Sequence, residues 1–121
     1  MELLNSIIAA LEKGSIKKVI AFSDTNEMPN TPYVVVKSET GVITNTRQYR
    51  IIIHFDRGMS DYLNAYAMTE IDKLLPGQVT DEEGSRYKLY KGGYTDVTPE
   101  PQDNTFFMER IFYAPLPGYQ N

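Results

Sequence analysis

The feature that most constrains the fold is a predicted strand followed closely by a predicted helix, between Thr46 and Leu75. Apolar side chains occupy every second position from Tyr49 to Phe55, which is typical of a strand with one face in a core. From Ser60 to Leu75 the apolar positions recur with the i, i+3, i+4 spacing of an amphipathic helix. Together the two patterns predict a sheet with a helix packed against one of its faces.

Shorter patterns complete the predicted order of elements. Helical spacing of apolar residues predicts a first helix over Leu3–Leu11. The polar segment Gly92–Asn104 is too long for a tight turn and is interpreted as a projecting arm or loop. Because short connections favour antiparallel neighbours, we expect an α+β fold of order α-β-β-β-α-β-β, a mostly antiparallel sheet of about five strands with two helices packed on it. The remaining β-prone runs are Lys17–Ser23, Tyr33–Lys37, Ser85–Lys91 and Thr105–Ala114.

Chain length and composition indicate a single domain spanning residues 1–121. A mass of 13.8 kDa and 41% hydrophobic residues are ordinary for one globular core. The net charge is −4 and no basic run is longer than Lys17–Lys18, so the sequence has no basic stripe of the kind that wraps a phosphate backbone. The absence of cysteine excludes disulfides and thiolate catalysis. No basic region opens the chain and no apolar segment approaches the roughly 20 residues that cross a bilayer, so we expect a cytoplasmic protein without membrane contact.

Residues able to support catalysis or metal binding are few. His54, the only histidine, lies on the mixed face of the long strand with Arg50. No Ser, Asp or Glu follows or precedes it at a spacing typical of a catalytic pair, so we interpret it as structural. The acidic run Asp81–Glu83 matches no metal-binding loop, and Gly92–Gly93 lacks the phosphate-binding glycine pattern. We therefore predict no catalytic residue, no metal ligand and no cofactor.

Aromatic residues concentrate in the C-terminal third of the chain, interleaved with Arg and Lys. Such a mixture can stack on single-stranded nucleic acid, pack a core or form a protein interface, where Tyr and Arg are enriched. We favour core packing for the buried members and a protein interface for the exposed ones. The residues concerned are Tyr87, Tyr90, Tyr94, Phe106, Phe107, Phe112, Tyr113 and Tyr119.

Three segments carry a resemblance to a known family. They are the opening LLNSIIAALEKG (Leu3–Gly14), the strand-to-helix unit TRQYRIIIHFDRGMSDYLNAYAMTEIDKLL (Thr46–Leu75) and the closing FFMERIFYAPL (Phe106–Leu116). With the chain length and the element order, they resemble the tail terminator or tail-completion (head-tail joining) proteins of long-tailed bacteriophages. The resemblance covers nearly the whole chain and rests on layout and pattern.

The resemblance implies a virion assembly protein rather than an enzyme. Members of the family form a ring, typically a hexamer, on the end of the finished tail tube, where the ring stops polymerisation and offers a docking surface to the head. The implied partners are further copies of the chain, the tail tube protein and the head-tail connector protein, while DNA passes through without specific binding. The implied location is the virion, after assembly in the cytoplasm of the bacterial host. An acidic subunit suits this role, because electrostatic repulsion keeps the negatively charged ring wall from binding the DNA phosphates.

The resemblance also directs attention to the long loops, because ring closure requires two different patches on each subunit. We assign these patches to Asp24–Thr31, to Gly92–Asn104 and to the strand edges beside them. The candidate interface residues are Asp24, Asn26, Glu27, Met28, Tyr94, Asp96, Glu100 and Asp103.

Two other functions stay open on the sequence. A head-closure protein or another neck component would share the size and the interaction surfaces. A small-ligand-binding or enzymatic α+β domain is the second alternative, because a fold does not determine a function. A pocket with convergent polar groups near His54 and Arg50 would favour it.

Overall fold

The predicted strand-to-helix unit is present at the centre of the molecule. The computed structural model describes residues 2–24, 30–41, 43–80, 83–100 and 104–116. Its main elements are α1 (Glu2–Leu11), β1 (Val19–Ala21), β2 (Tyr33–Thr40), β3 (Thr46–Asp56), α2 (Ser60–Ala65), a π-helical segment (Tyr66–Glu70), α3 (Ile71–Leu74), β4 (Gln78–Thr80), β5 (Arg86–Lys88), β6 (Tyr90–Pro99) and β7 (Thr105–Pro115). We call the continuous run from α2 to α3, residues 60–74, the second helix. No helix in the described ranges is long and apolar enough to cross a membrane.

Five strands form one sheet in the order β1-β2-β3-β7-β6. The pairs β2–β3, β3–β7 and β7–β6 are antiparallel as expected, and the α+β fold is confirmed. The pair β1–β2 is parallel, so the expectation of antiparallel neighbours is wrong at this edge. The three residues of β1 cover about 10 Å, whereas residues 22–32 can span more than roughly 30 Å. The chain therefore has ample length to return to the starting end of β1 before β2 begins.

The segment Gly92–Asn104 differs most from its prediction as a loop. Most of it belongs to β6, which pairs with β7 through register shifts between Lys91 and Tyr94 and between Thr95 and Thr98. Each shift inserts an extra residue into β6 as a β-bulge. Bulges accommodate glycine and unpaired polar residues, which is why a composition unfavourable to a regular strand still forms one here.

The predicted strand Ser85–Lys91 is divided in the structure. Its first part is β5, which pairs with β4 in a separate two-stranded sheet that the sequence patterns did not predict. Leu89 interrupts the run because its side chain is buried and its N–H donates to the carbonyl of Gly77 at 3.0 Å. β6 then begins at Tyr90.

The core lies between the helices and one face of the five-stranded sheet. The alternation predicted for the long strand is confirmed, because Tyr49, Ile51, Ile53 and Phe55 are each no more than 1% exposed. We call the opposite face of the sheet, which carries Arg50 and His54 on β3, the outer face. The helices contribute the fully buried side chains Ile7, Leu11, Leu63 and Ile71.

A charged side chain also enters this core. Arg110 of β7 is only 5% exposed, and its Nη1 donates to the carbonyl of Ala67 at 2.6 Å. Its Nη2 donates to Asp72 Oδ1 at 2.9 Å. The Ala67 carbonyl thus has a partner outside the helix, and the helix widens there: the N–H of Ile71 bonds the carbonyl of Tyr66, five residues earlier. A side chain that inserts into the helical ladder is a recognised cause of such a π segment.

Replacing Tyr66 by phenylalanine is expected to raise the free energy of unfolding by about 1 kcal/mol. The Tyr66 hydroxyl is buried with no hydrogen-bond partner among the described residues, and burial raises its pKa. Tyr49 is the matched control, because its buried hydroxyl hydrogen-bonds Ser38, so Tyr49→Phe should lower the stability by about 1 kcal/mol. Urea unfolding measures both changes, and equal losses in the two variants would contradict the prediction.

Candidate functional site

The structure describes four of the eight predicted interface residues. Asp24 ends the 3-10 turn Phe22–Asp24, which follows β1. Tyr94 and Asp96 lie in β6, and Glu100 directly follows that strand. These last three therefore lie on or directly beside one edge strand. The other four predicted residues, Asn26, Glu27, Met28 and Asp103, lie outside the described residues.

β6 is an edge strand with large exposed side chains. Tyr90, Tyr94 and Val97 are 52%, 56% and 39% exposed. Tyr is enriched at protein interfaces, and an open strand edge can pair with a strand of another chain. Sequence reasoning selected Tyr94 but not Tyr90 or Val97, because the two bulges change the alternation and leave no period-2 signal along β6. By register, Tyr90 pairs with Tyr113 and lies on the outer face, whereas Tyr94 pairs with Arg110 and lies on the helix-covered face. The open side of β6, with the exposed side chains on both of its faces, is the candidate interaction surface, and we call it the β6 edge.

Lys91 connects the β6 edge to the second helix. Its Nζ lies 3.4 Å from Asp72 Oδ2, while Asp72 also accepts the hydrogen bond from Arg110. The Lys91 side chain is 55% exposed and that of Arg110 only 6%, so water screens the outer pair far more than the inner one. A continuous series of polar contacts thus runs from the edge strand to the Ala67 carbonyl in the π segment.

On the outer face of the sheet, two ion pairs and one hydrogen bond connect four strands. Arg50 of β3 donates from Nε to Glu39 Oε1 at 2.7 Å and from Nη1 to Glu109 Oε1 at 3.1 Å. The Thr95 hydroxyl of β6 donates to the same oxygen of Glu109 at 2.9 Å. These side chains are hydrogen-bond partners of one another, and they connect β2, β3, β7 and β6 across the face.

The same contacts favour the charged form of Glu39. The hydrogen bond from Arg50 lowers the pKa of this carboxyl, although partial burial acts in the opposite direction, and a second hydrogen bond from Gln48 lowers the pKa further. A carboxyl with a depressed folded-state pKa contributes stability that is present above its unfolded pKa and is lost as the pH falls through the folded value. The ion pair with Arg50 is therefore retained at a lower pH than an unperturbed glutamate would allow.

His54 has a close carboxylate partner that sequence reasoning missed. Its Nδ1 lies 2.6 Å from Glu100 Oε1, and its ring stacks on Tyr33 with the centroids 4.6 Å apart. Phe107 is the register partner of His54 on one side and of Thr98 on the other, which brings the end of β6 to the end of β3. His54 and Glu100 are 46 positions apart, so no local spacing could reveal the contact. The interpretation of His54 as structural stays a prediction.

Acidic and histidine side chains do not converge into a metal site in the part of the chain that the structure describes. No group of three or more His, Cys, Asp or Glu residues there is arranged to hold a metal ion. Of the acidic run Asp81–Glu83, only Glu83 is described, and it is exposed.

Comparisons with known proteins add no family to this description. No protein-family model matches the chain, and no curated protein matches it significantly. The candidate site therefore rests on the geometry of the β6 edge and on the polar contacts behind it.

Proposed function

We propose that this chain is a non-enzymatic virion assembly protein of a bacteriophage or prophage. It caps the tail tube as a hexameric ring, ends tail polymerisation and forms the surface on which the head docks. The resemblance of the segments Leu3–Gly14, Thr46–Leu75 and Phe106–Leu116 supports this role. The net charge of −4 agrees with a wall past which DNA must slide without being held.

The observation that carries the proposal is the exposed β6 edge. It is a ten-residue strand at the end of the sheet, and it presents Tyr90, Tyr94 and Val97 to solvent. Proteins usually blunt their sheet edges, because unpaired backbone groups beside apolar side chains invite pairing with another chain. The two bulges are one such blunting device, yet the aromatic side chains are retained. A ring subunit has a use for this surface, since every copy must contact two neighbours.

Deletion of the gene in the phage or inducible prophage that encodes it tests the role. We expect electron microscopy to show tails longer than normal and without heads, because no ring stops the growing tube. Supplying the wild-type gene from a plasmid should restore normal tails. Normal-length, head-attached tails in the deletion would contradict the proposal.

A matched pair of variants tests the part played by the β6 edge in the same complementation assay. Tyr94 in β6 and Tyr62 in α2 are exposed to nearly the same extent, 56% and 54%. We expect Tyr94→Ser to fail in restoring normal tails and Tyr62→Ser to succeed. If both variants restored normal tails, the β6 edge would have no part in the proposed role.

The neck-component alternative gives a different result in the deletion. A head-closure protein acts after the tail is complete, so its loss should leave tails of normal length beside separate, filled heads. Tail length therefore separates the two assembly roles.

A small-ligand-binding or enzymatic domain is the second candidate, and one observation favours it. The contact of 2.6 Å between His54 Nδ1 and Glu100 Oε1 is of the kind that orients an imidazole for acid-base chemistry. A thermal-shift screen of the purified protein against small metabolites tests this candidate. A ligand that stabilises the wild type but not His54→Gln would support it, and a screen without any such ligand would count against it.

A further inference from the structure

The five-stranded sheet has two open edges, β1 on one side and β6 on the other. Among the described residues, no strand pairs with the outer side of either one. Unpaired N–H and C=O groups along an edge are a template for a strand from another chain. The two edges differ in length, three residues against ten, so they form two different patches on one subunit.

The directions of the two edge strands are opposite. β1 runs parallel to β2, and each of the following pairs, β2–β3, β3–β7 and β7–β6, is antiparallel. Three reversals leave β6 antiparallel to β1. A second copy that continues the sheet in the same orientation therefore places its β1 antiparallel to β6 of the first copy, with the helices of both copies on the same face.

The register also shows which parts of the two edges stand at the same height. Val19 of β1 is linked through its partners in β2 and β3 to Met108 of β7. The residues on either side of Met108 are paired with Thr95 and Thr98 of β6. In a continued sheet without stagger, Val19 of the next copy therefore faces the stretch of β6 between Thr95 and Thr98.

The charges at this height are complementary. Lys17 and Lys18 are exposed and immediately precede β1. Asp96 is exposed near the end of β6, and Glu100 follows that strand and is partly exposed. Antiparallel alignment brings the start of β1 of the next copy to the end of β6 of the first, so the two lysines of the next copy meet the two carboxylates of the first. Complementary charges of this kind select a partner and set the register of contact.

We propose that copies of this chain join head to tail, with the β6 edge of one copy against the β1 edge of the next. This inference rests on the proposed ring and assigns its subunit interface. The pairing is short, because β1 offers only three residues and the bulges interrupt β6 on both sides of Tyr94 and Thr95. An interface between two different patches repeats from copy to copy and closes into a ring when the rotation permits.

Disulfide trapping tests the interface, since the chain contains no cysteine of its own. Lys18 directly precedes Val19, and its height in the sheet corresponds to that of Thr98. Residues opposite each other on antiparallel strands have Cα atoms roughly 4.5–5.5 Å apart, which is within the reach of a disulfide. The double variant Lys18→Cys/Thr98→Cys should therefore form a ladder of covalent multimers when a concentrated solution is oxidised and run on a denaturing gel. A disulfide captures transient contacts, so the ladder does not require a stable ring.

Two controls separate the interface from random collision. Each single variant can form dimers only, because it carries one thiol. The double variant Lys13→Cys/Thr98→Cys moves the first thiol to an exposed lysine outside the strand edge. A ladder that is no longer than in this control would overturn the inference.

Charge reversal gives a second readout that does not depend on thiols. Each single variant, Lys18→Glu or Asp96→Lys, should weaken oligomer formation at least tenfold. The double variant Lys18→Glu/Asp96→Lys should restore it, because the reversed charges on the two edges attract each other again. Rings that persist unchanged in both single variants would overturn the inference and leave the proposed tail role intact. Normal tails in the gene deletion would instead contradict the tail role, whatever the ladder shows.

Discussion

Replacing Arg110 by methionine should lower the free energy of unfolding by about 3 kcal/mol. The guanidinium is buried, donates to the Ala67 carbonyl and Asp72, and lies 5.4 Å from the centroid of the Phe112 ring. Methionine retains much of the volume but leaves the carbonyl and the carboxylate without their donor. The carbonyl is the larger loss, because Asp72 is 30% exposed and keeps Lys91 as a partner.

Urea unfolding followed by circular dichroism measures this change as a lower midpoint at an unchanged slope. Two variants along the same series of contacts should show a graded effect. Asp72→Asn removes one charge of the inner pair and should lose about 1 kcal/mol, while Lys91→Met removes an exposed pair and should lose less than about 0.5 kcal/mol. If Arg110→Met were as stable as the wild type, the hydrogen bonds of Arg110 to Ala67 and Asp72 would make no net contribution to stability.

Replacing Phe112 by alanine should lower the free energy of unfolding by about 4 kcal/mol, the largest effect expected for a single substitution here. Phe112 is fully buried on the helix-covered face of β7, opposite Tyr49 in the register. Alanine removes the ring and leaves a cavity in a core that the sheet and the helices cannot fully close.

The neighbouring residue supplies the matched control for this prediction. Ile111 points to the outer face and is only partly buried, so Ile111→Ala should lose about 1 kcal/mol in the same urea experiment. Similar losses for the two variants would show that the two faces of β7 are not divided into core and outer face.

Local periodicity was sufficient to predict the elements that bury one regular face. The alternation from Tyr49 to Phe55 and the helical spacing from Ser60 to Leu75 both describe residues close in the chain, and both segments form as expected. The helical spacing did not reveal the π segment, because the side chain that bonds the Ala67 carbonyl there, Arg110, belongs to a strand much later in the chain.

The candidate site was only partly predictable for the same reason. Tyr94, Asp96 and Glu100 were selected from the composition of a presumed loop, and the structure places them on or beside an edge strand instead. The partner of β6 is β7, and only pairing with that strand makes bulged, glycine-containing backbone a part of the sheet.

The sequence by itself determined the α+β class, the long central strand, the helix that follows it and the face that each buries, because these depend on side-chain spacing within one segment. The tertiary structure alone decided the parallel pairing of β1, the strand character of β6, the contact of His54 with Glu100 and the insertion of Arg110 beside Ala67. Each of these depends on two segments that are far apart in the chain, and local sequence patterns carry no information about which remote partner a backbone or side-chain group will meet.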